Sequence, residues 1–352
     1  MKLSRTRSVL RVLVMRVGGQ VKLTWRTAVI GAGLAGLACA RELRRAGSYV
    51  EVFEKERIIG GRMATNRAGM VSIDHGAQYL TARSSVFKNY VNELTTTGYA
   101  AKWEPRTMVG ATDLDDETLA KHATGWYVGT PGMSSIVRPL AEGVRIQTGR
   151  TVHTIERVEK GWRIWFDDQT NEGPFKAVAV AVPAPQARLL LGPAASLADD
   201  LGKVRISPCW ALMVRLDEPV FPPQDVFSDM SDVIRWIARN NTKPGRSSRG
   251  ETVVVHASME WSRETEDADP QMIADDIWDE VSNILSLPPT RPAQMTAHLW
   301  KHGIVEHSLG ESFIFSSDHN VGIAGDWCLG RLAEHAFESG VGLGRAIVGS
   351  IY

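Results

Sequence analysis

The stretch Val29-Ile30-Gly31-Ala32-Gly33-Leu34-Ala35-Gly36 constrains this chain more than any other. A β-branched run from Thr27 to Ile30 precedes the glycines, Leu34 to Arg45 follows with helical spacing, and Tyr49 to Phe53 reads as a second strand. The pattern predicts a βαβ unit with GxGxxG at its first turn. Gly31 permits the tight turn, Gly33 lets a pyrophosphate approach the backbone, and Gly36 lets helix and strand pack closely. The helix start supplies free N–H donors and a partial positive charge to the phosphates. Glu54 ends the second strand at 54 − 31 = 23 residues from the first glycine, near the distance at which an acid meets ribose hydroxyls. Glycines serving only turns would not require strand, helix and acid in these places, so the unit reads as a dinucleotide site.

At 352 residues the chain exceeds what one core usually organises, which predicts interleaved domains. Forty basic and forty acidic residues balance, so no global field draws in nucleic acid or an anionic membrane. Cys39, Cys209 and Cys328 form no CxxC pair, which disfavours a zinc site or a disulfide framework and suits a reducing, cytoplasmic setting. No metal site and no protein partner is expected. No apolar run reaches the roughly 18 residues of a spanning helix. Residues 1–26 carry seven Lys or Arg and no acid. A transit segment would have this composition, and so would a disordered arm or a start placed too early; the latter is the simpler reading.

The expected organisation is a cofactor domain in three pieces (27–85, 128–190 and 306–352) with a substrate domain interleaved (86–127 and 191–305). Val86 to Leu94 and Met133 to Leu140 read as helices, and Ala177 to Val182 as a strand covered on both faces. Strand patterns at Ala211–Leu216, Val233–Arg239 and Thr252–Ala257 flank a helix from Pro270 to Leu287, which predicts an antiparallel sheet with helical cover. Asn320–Gly325 is a last buried strand and Leu332–Ile351 a last helix. The fold class is therefore α/β: a Rossmann-type cofactor domain with an interleaved α+β substrate domain built on an antiparallel sheet.

Gly60-Gly61-Arg62-Met63 follows Glu54 closely, and its glycines and fixed cation suit a second phosphate or a ring edge. In glutathione reductase-like flavoproteins, GGR at this place marks FAD. Gly322-Ile323-Ala324-Gly325-Asp326 resembles the second FAD motif of that superfamily, in which the Asp binds the ribityl chain and the next helix start faces the flavin N1 and C2 carbonyl. A positive helix end there would stabilise the anion of the reduced ring. By itself Asp326 also has a plainer reading as an N-cap.

Several ordered segments carry a closer resemblance: GGRMAT (60–65), DHGAQYLTA (74–82), VGTPGM (128–133), AVPAPQA (181–187), PCWALM (208–213), ARNNTKPGR (238–246), HASMEWS (256–262) and GDWCL (325–329). From about residue 27 onward the chain resembles the bacterial renalase-like FAD-dependent oxidoreductases of the flavin amine oxidase superfamily. The resemblance implies non-covalent FAD and oxidation of misreduced dihydro-NAD(P) isomers, with O2 as acceptor and hydrogen peroxide as product. It places FAD contacts at Ala35, Lys55, Arg62, Gln78 and Tyr79, the last two beside the isoalloxazine. Val152 is a backbone contact on the adenine side by the superfamily layout. On the substrate side it points to Arg235, Asn240, His256 and Trp300. His256 alone would read as a core histidine, and Arg239, Lys243 and Arg246 read equally well as a solvated loop.

A dihydropyridine expels hydride as its ring regains aromaticity, so alignment matters more than a base. No acid–base pair stands out. Lys301 supports an alternative, since many flavin amine oxidases place a lysine near N5. An amine oxidase or desaturase-type enzyme, or a flavin-binding protein without turnover, remain the competing expectations. After Trp300, Lys301-His302-Gly303 departs from the relatives' usual Arg-Tyr-Ala, and Gly330-Arg331-Leu332 is one glycine shorter than their usual run.

Overall fold

In the computed structural model the described residues are 13–17, 20–68, 71–109, 125–191, 199–247 and 250–351. The GxGxxG unit forms as the spacing predicts, with a strand at Arg26–Ile30, a helix at Leu34–Arg45 and a strand at Tyr49–Glu54. A six-stranded sheet grows on this unit in the order 145–148, 49–54, 26–30, 177–180, 321–323, 314–316. The first five strands are parallel and Ile314–Ser316 is antiparallel. Ala177–Val180 is buried on both faces, as its unbroken apolar run requires.

The helix Ala333–Ile351 covers one face of this sheet beside Leu34–Arg45. Their approach needs small residues: a side chain at Gly340 would stand 2.0 Å from the Ala35 carbonyl oxygen, and one at Gly344 3.0 Å from that of Cys39. An antiparallel meander, Val152–Val158, Gly161–Phe166 and Asn171–Phe175, covers the other face through Ile155, Trp162, Ile164 and Phe175.

A second six-stranded sheet runs in the order 294–307, 205–216, 251–257, 234–239, 226–228, 107–109. Its pairings are antiparallel except between 226–228 and 107–109. One face carries Leu212, Val214, Ile237, Val253 and Val255 onto the helix Pro270–Ile284, which presents Ile273, Ile277 and Val281. Asp269 caps that helix by accepting from the backbone N–H groups of Gln271 and Met272. The opposite face packs Met213 and Val254 against Ile73 and carries Trp236, His256 and His298.

Four details differ from the sequence expectation. Leu13–Val17 and Gln20–Thr24 pair as an antiparallel hairpin, so this part of the basic extension is not an unstructured arm; residues 1–12, 18 and 19 lie outside the described residues. Met133–Val137 is a 3-10 turn that becomes α-helical only at Arg138–Ala141, where Pro139 falls in the first turn. The helix from Pro270 stops at Ile284, and Ser286 adopts a positive φ of 50°. The long strand Gln294–His307 alternates through Met295, Ala297 and Leu299, but beyond Trp300 it carries Lys301, His302, Gly303, Glu306 and His307 without apolar alternation, yet it pairs along Arg205–Leu216. Tertiary pairing overrides the local pattern there. Among the described residues no helix is long and apolar enough to cross a membrane.

Candidate active site

The first wall of the site is the dinucleotide turn. Gly31 has a φ of +100°, and an added Cβ would meet the Ala181 carbonyl oxygen at 2.6 Å. A Cβ on Gly36 would stand 2.0 Å from the Gly31 carbonyl oxygen, so helix and turn touch there. At Gly33 a Cβ would meet nothing within 4 Å. The backbone therefore has open space at the position the motif reserves for a pyrophosphate. Glu54 is buried and accepts from the Ala32 N–H at 2.7 Å and the Glu56 N–H at 2.9 Å, which holds its carboxylate at the mouth of this turn.

The Gly60-Gly61-Arg62-Met63 segment folds onto the same turn. Gly60 N donates to the Ala32 carbonyl at 2.9 Å, and an added Cβ on Gly61, whose φ is +53°, would lie 3.5 Å from Gly33 Cα. Met63 is buried beneath. Arg62 reaches across to the C-terminal motif, donating to Asp326 at 2.5 Å and to the Gly303 carbonyl at 3.3 Å. Gly325 is fixed by its N–H to the Ser339 hydroxyl, and a side chain there would strike the Trp327 indole. Open space at Gly33, a half-exposed guanidinium and a nearly buried carboxylate thus line one route, which fits a dinucleotide with a polyol arm. The Lys55 ammonium is half-exposed and 3.5 Å from Glu56, and its charge reaches His302, which also feels Arg62. Val152 lies at the start of the meander, two residues beyond Arg150, whose N–H donates to the Glu54 carbonyl at 2.8 Å.

The second wall is residues 74–80. Ala77 N donates to the Arg62 carbonyl at 2.8 Å, and a side chain on Gly76 would stand 2.1 Å from that oxygen, so this segment presses on the GGR turn. Tyr79 stacks on Trp126 at 4.1 Å and tilts against Trp236 at 5.5 Å. The Gln78 side chain faces inward: its amide donates to the carbonyls of Asp74 (2.6 Å) and Gly76 (2.9 Å) and accepts from Lys243 at 3.0 Å. Any contact Gln78 makes with a cofactor therefore falls to its backbone.

The third wall is the face of the second sheet turned away from the helix Pro270–Ile284. Trp236, His256, Ala211 and His298 are successive cross-strand partners, and Cys209 pairs with Trp300. His256 Nε2 and Trp300 Nε1 share the His75 carbonyl, at 3.1 and 2.9 Å. The His75 ring stacks on Trp300 at 5.0 Å and meets His298 edge-on at 5.1 Å. Burial lowers the pKa of His75 to about 4, helped by His298, and burial likewise lowers His256 to about 4. Burial also lowers His298. The imidazoles facing this wall are neutral at pH 7. The charge of Arg235 reaches both His256 and Cys209, opposing the upward push of burial on the Cys209 thiol.

Two expected substrate residues lie elsewhere. Asn240 is fully buried; its amide accepts from the Asp74 N–H at 3.2 Å and donates to the Ser72 carbonyl at 2.8 Å. Lys301 is exposed, next to Trp300 on the strand and so on the opposite side of the sheet.

The solvated-loop reading of residues 239–246 does not hold. Lys243 is wholly enclosed and Arg246 is 1% exposed, both directed at the buried carboxylate of Asp74. Burial opposes ionisation of Asp74, but Lys243 and Arg246 together hold it below the ordinary carboxylate range, aided by the Met133 N–H. Asp74, His75, Lys243, Arg246, Trp236 and His298 are the site's residues that sequence reasoning did not assign. The DHGAQY and ARNNTKPGR segments contain four of them, so a signal existed, but no spacing rule joins residues 74 and 243. Among the described residues no group of three or more His, Cys, Asp or Glu could hold a metal ion.

Comparison with known proteins agrees with this geometry. Residues 29–94 match the family model for NAD(P)-binding Rossmann-like domains, and residues 93–342 match that for flavin containing amine oxidoreductases. A Mycobacterium tuberculosis protein described as a flavin-containing monoamine oxidase is 50% identical over 52 residues, 15% of this chain. This chain covers only 12% of that relative's length. In structure the chain is similar to cyclohexylamine oxidase from Brevibacterium oxydans (TM-score 0.73, 14% identity, 93% of this chain and 99% of that one). It is likewise similar to an Exiguobacterium protein described as a protoporphyrinogen oxidase (TM-score 0.74, 13% identity, 92% and 98%). At these identities the structural likeness shows the fold. The match over residues 93–342, more than half of the chain, shows that this protein belongs to the flavin-containing amine oxidoreductase family, an α/β oxidoreductase with FAD as its cofactor.

Proposed function

We propose that this flavoenzyme is a renalase-like oxidase of dihydro-NAD(P) isomers reduced at the wrong nicotinamide carbon. The balanced reaction is isomer plus O2 plus one proton, giving NAD(P)+ and hydrogen peroxide. FAD, when bound, supplies the two-electron acceptor at N5 and the reactivity toward oxygen.

The observation that carries the reading is the chemistry of the sheet wall. It offers flat rings and neutral imidazoles, Trp236, His256, His298 and Trp300, against the segment His75–Tyr79. The buried charges nearby, Asp74, Lys243 and Arg246, are engaged with one another. Such a wall can stack and orient a dihydropyridine, which needs no proton removed from carbon before hydride leaves. Arg62, Asp326, Gly33 and Gly61 would hold the cofactor's phosphates and ribityl chain, Glu54 its ribose, and Val152 its adenine side through backbone. Arg235 is the cation available to a substrate phosphate on this wall.

The alternative is an amine substrate, which the family favours. Its expected lysine, Lys301, faces solvent, so that reading loses the residue that motivated it.

Steady-state turnover in air separates the two. Stoichiometric oxygen uptake and peroxide release with dihydronicotinamide isomers, and none with an amine panel, is the expected outcome. Turnover of an amine with no response to any dihydronicotinamide would overturn the proposal.

A further inference from the structure

Lys243 is unusual for its surroundings. Its ammonium is wholly buried, 3.0 Å from Gln78 Oε1, 3.4 Å from Asp74 Oδ2 and 5.6 Å from the Trp103 ring centroid. Arg246 also pairs with Asp74 and donates to the Gly129 carbonyl at 2.6 Å. Two buried cations therefore share one buried carboxylate, and Thr65 and the Met133 N–H also donate to that carboxylate, at 2.7 and 2.9 Å. Every hydrogen-bonding atom of the Gln78 amide is fixed by this arrangement.

We infer that Lys243 is a positioning residue for the cofactor-facing edge at Gln78 and Tyr79, and that its charge, uncancelled beside Arg246 and Asp74, favours the reduced form of the bound FAD. The inference rests on the reading that Gln78 and Tyr79 line the isoalloxazine. A fixed charge in a poorly solvated interior acts strongly on a neighbouring ring that gains negative charge on reduction. Burial lowers Lys243 to about 8, opposed by Asp74 and reinforced by Arg246. The groups facing it are Asp74, Arg246 and His256, the last held neutral at pH 7. The local charge thus falls from one positive to zero as pH rises through about 8.

The test is the midpoint potential of bound FAD in the holoenzyme and in Lys243→Met. The expected result is a shift of at least tenfold in the reduced-to-oxidised equilibrium toward the oxidised form, about 30 mV for a two-electron couple. Melting of the apoproteins shows the structural cost separately. An unchanged potential in a folded Lys243→Met protein overturns the inference. If that variant does not fold, the wild-type potential followed against pH decides: a redox-linked ionisation near pH 8 is expected, and its absence between pH 7 and 9.5 overturns it. Tyr79→Ala distinguishes the failures. If its flavin spectrum matches wild type, the placement of the ring is wrong and the inference falls with it. If the spectrum moves while Lys243→Met leaves the potential alone, only the role of Lys243 falls.

Discussion

Arg62 and Asp326, 264 residues apart in the chain, meet at 2.5 Å. Each belongs to a different motif, and the turn that carries Arg62 also rests on the turn of Gly33 through Gly60 and Ala32. The ion pair and the Gly60–Ala32 hydrogen bond therefore tie together the three segments expected to hold a dinucleotide.

Removing either partner exposes how much of the cofactor's grip passes through this pair. Arg62→Ala leaves Asp326 nearly buried without its cation, and charge-assisted hydrogen bonds contribute about 1.5–3 kcal/mol. FAD affinity of the apoprotein, read by quenching of flavin fluorescence, should fall roughly 10- to 100-fold. Arg62→Lys should recover only part of the loss, because an ammonium cannot reproduce the planar fork.

Gly33 and Gly36 make a contrasting pair. Gly33 has ordinary extended backbone (φ −77°, ψ −177°) and open space around it, so Gly33→Ala should leave the apoprotein as stable or stabilise it by about 0.4–1 kcal/mol. FAD affinity should nevertheless drop at least tenfold, about 1.4 kcal/mol, because the methyl occupies the phosphate's approach. Gly36→Ala, facing the Gly31 carbonyl oxygen at 2.0 Å, should destabilise the apoprotein itself by about 3 kcal/mol or more. Melting curves and flavin titrations on both variants check the contrast.

The histidine wall gives stability a defined pH dependence. Burial holds His75 and His256 at about 4, below their ordinary 6.5. Between those values the unfolded chain binds protons that the folded chain does not, so stability falls as pH drops from about 6.5 to about 4. Unfolding midpoints in denaturant should show this slope, and His256→Gln should flatten it. An unchanged slope in that variant would show that His256 is not among the groups responsible.

Trp300 and Lys301 are neighbours in sequence with opposite expected roles. Trp300→Phe removes the indole donor to His75 and should slow reduction of the cofactor by the substrate about tenfold or more, as loss of a positioning hydrogen bond does. Lys301→Met changes an exposed side chain and should leave the rate within about twofold, in line with the small effect of most surface substitutions. Rapid mixing with the reduced substrate compares them directly. A large effect of Lys301→Met would favour the amine-oxidising alternative.

Local rules made the cofactor half of this molecule legible. Gly31, Gly33, Gly36 and Glu54 fall where a βαβ turn needs them, and the resemblance of the later motifs pointed to Arg62 and Asp326 before their contact was visible. The substrate half was harder because its contacts join residues with no spacing relationship. Lys243 sits in a polar loop sequence, and only the partners supplied by residues 74 and 78 make its burial possible. Asn240 has the composition of a ligand contact, but its amide is consumed in tying the second sheet to Ser72 and Asp74. The strand carrying Trp300 was masked by charged and glycine residues that face solvent or accommodate the bulge between Ser207 and Cys209.

Oxidation of misreduced dinucleotides is checked by mixing the oxidised holoenzyme anaerobically with dihydro-NAD(P) isomers and following the flavin absorbance. Bleaching faster with the misreduced isomers than with ordinary NAD(P)H is expected. Bleaching no faster with those isomers than with NAD(P)H would contradict it.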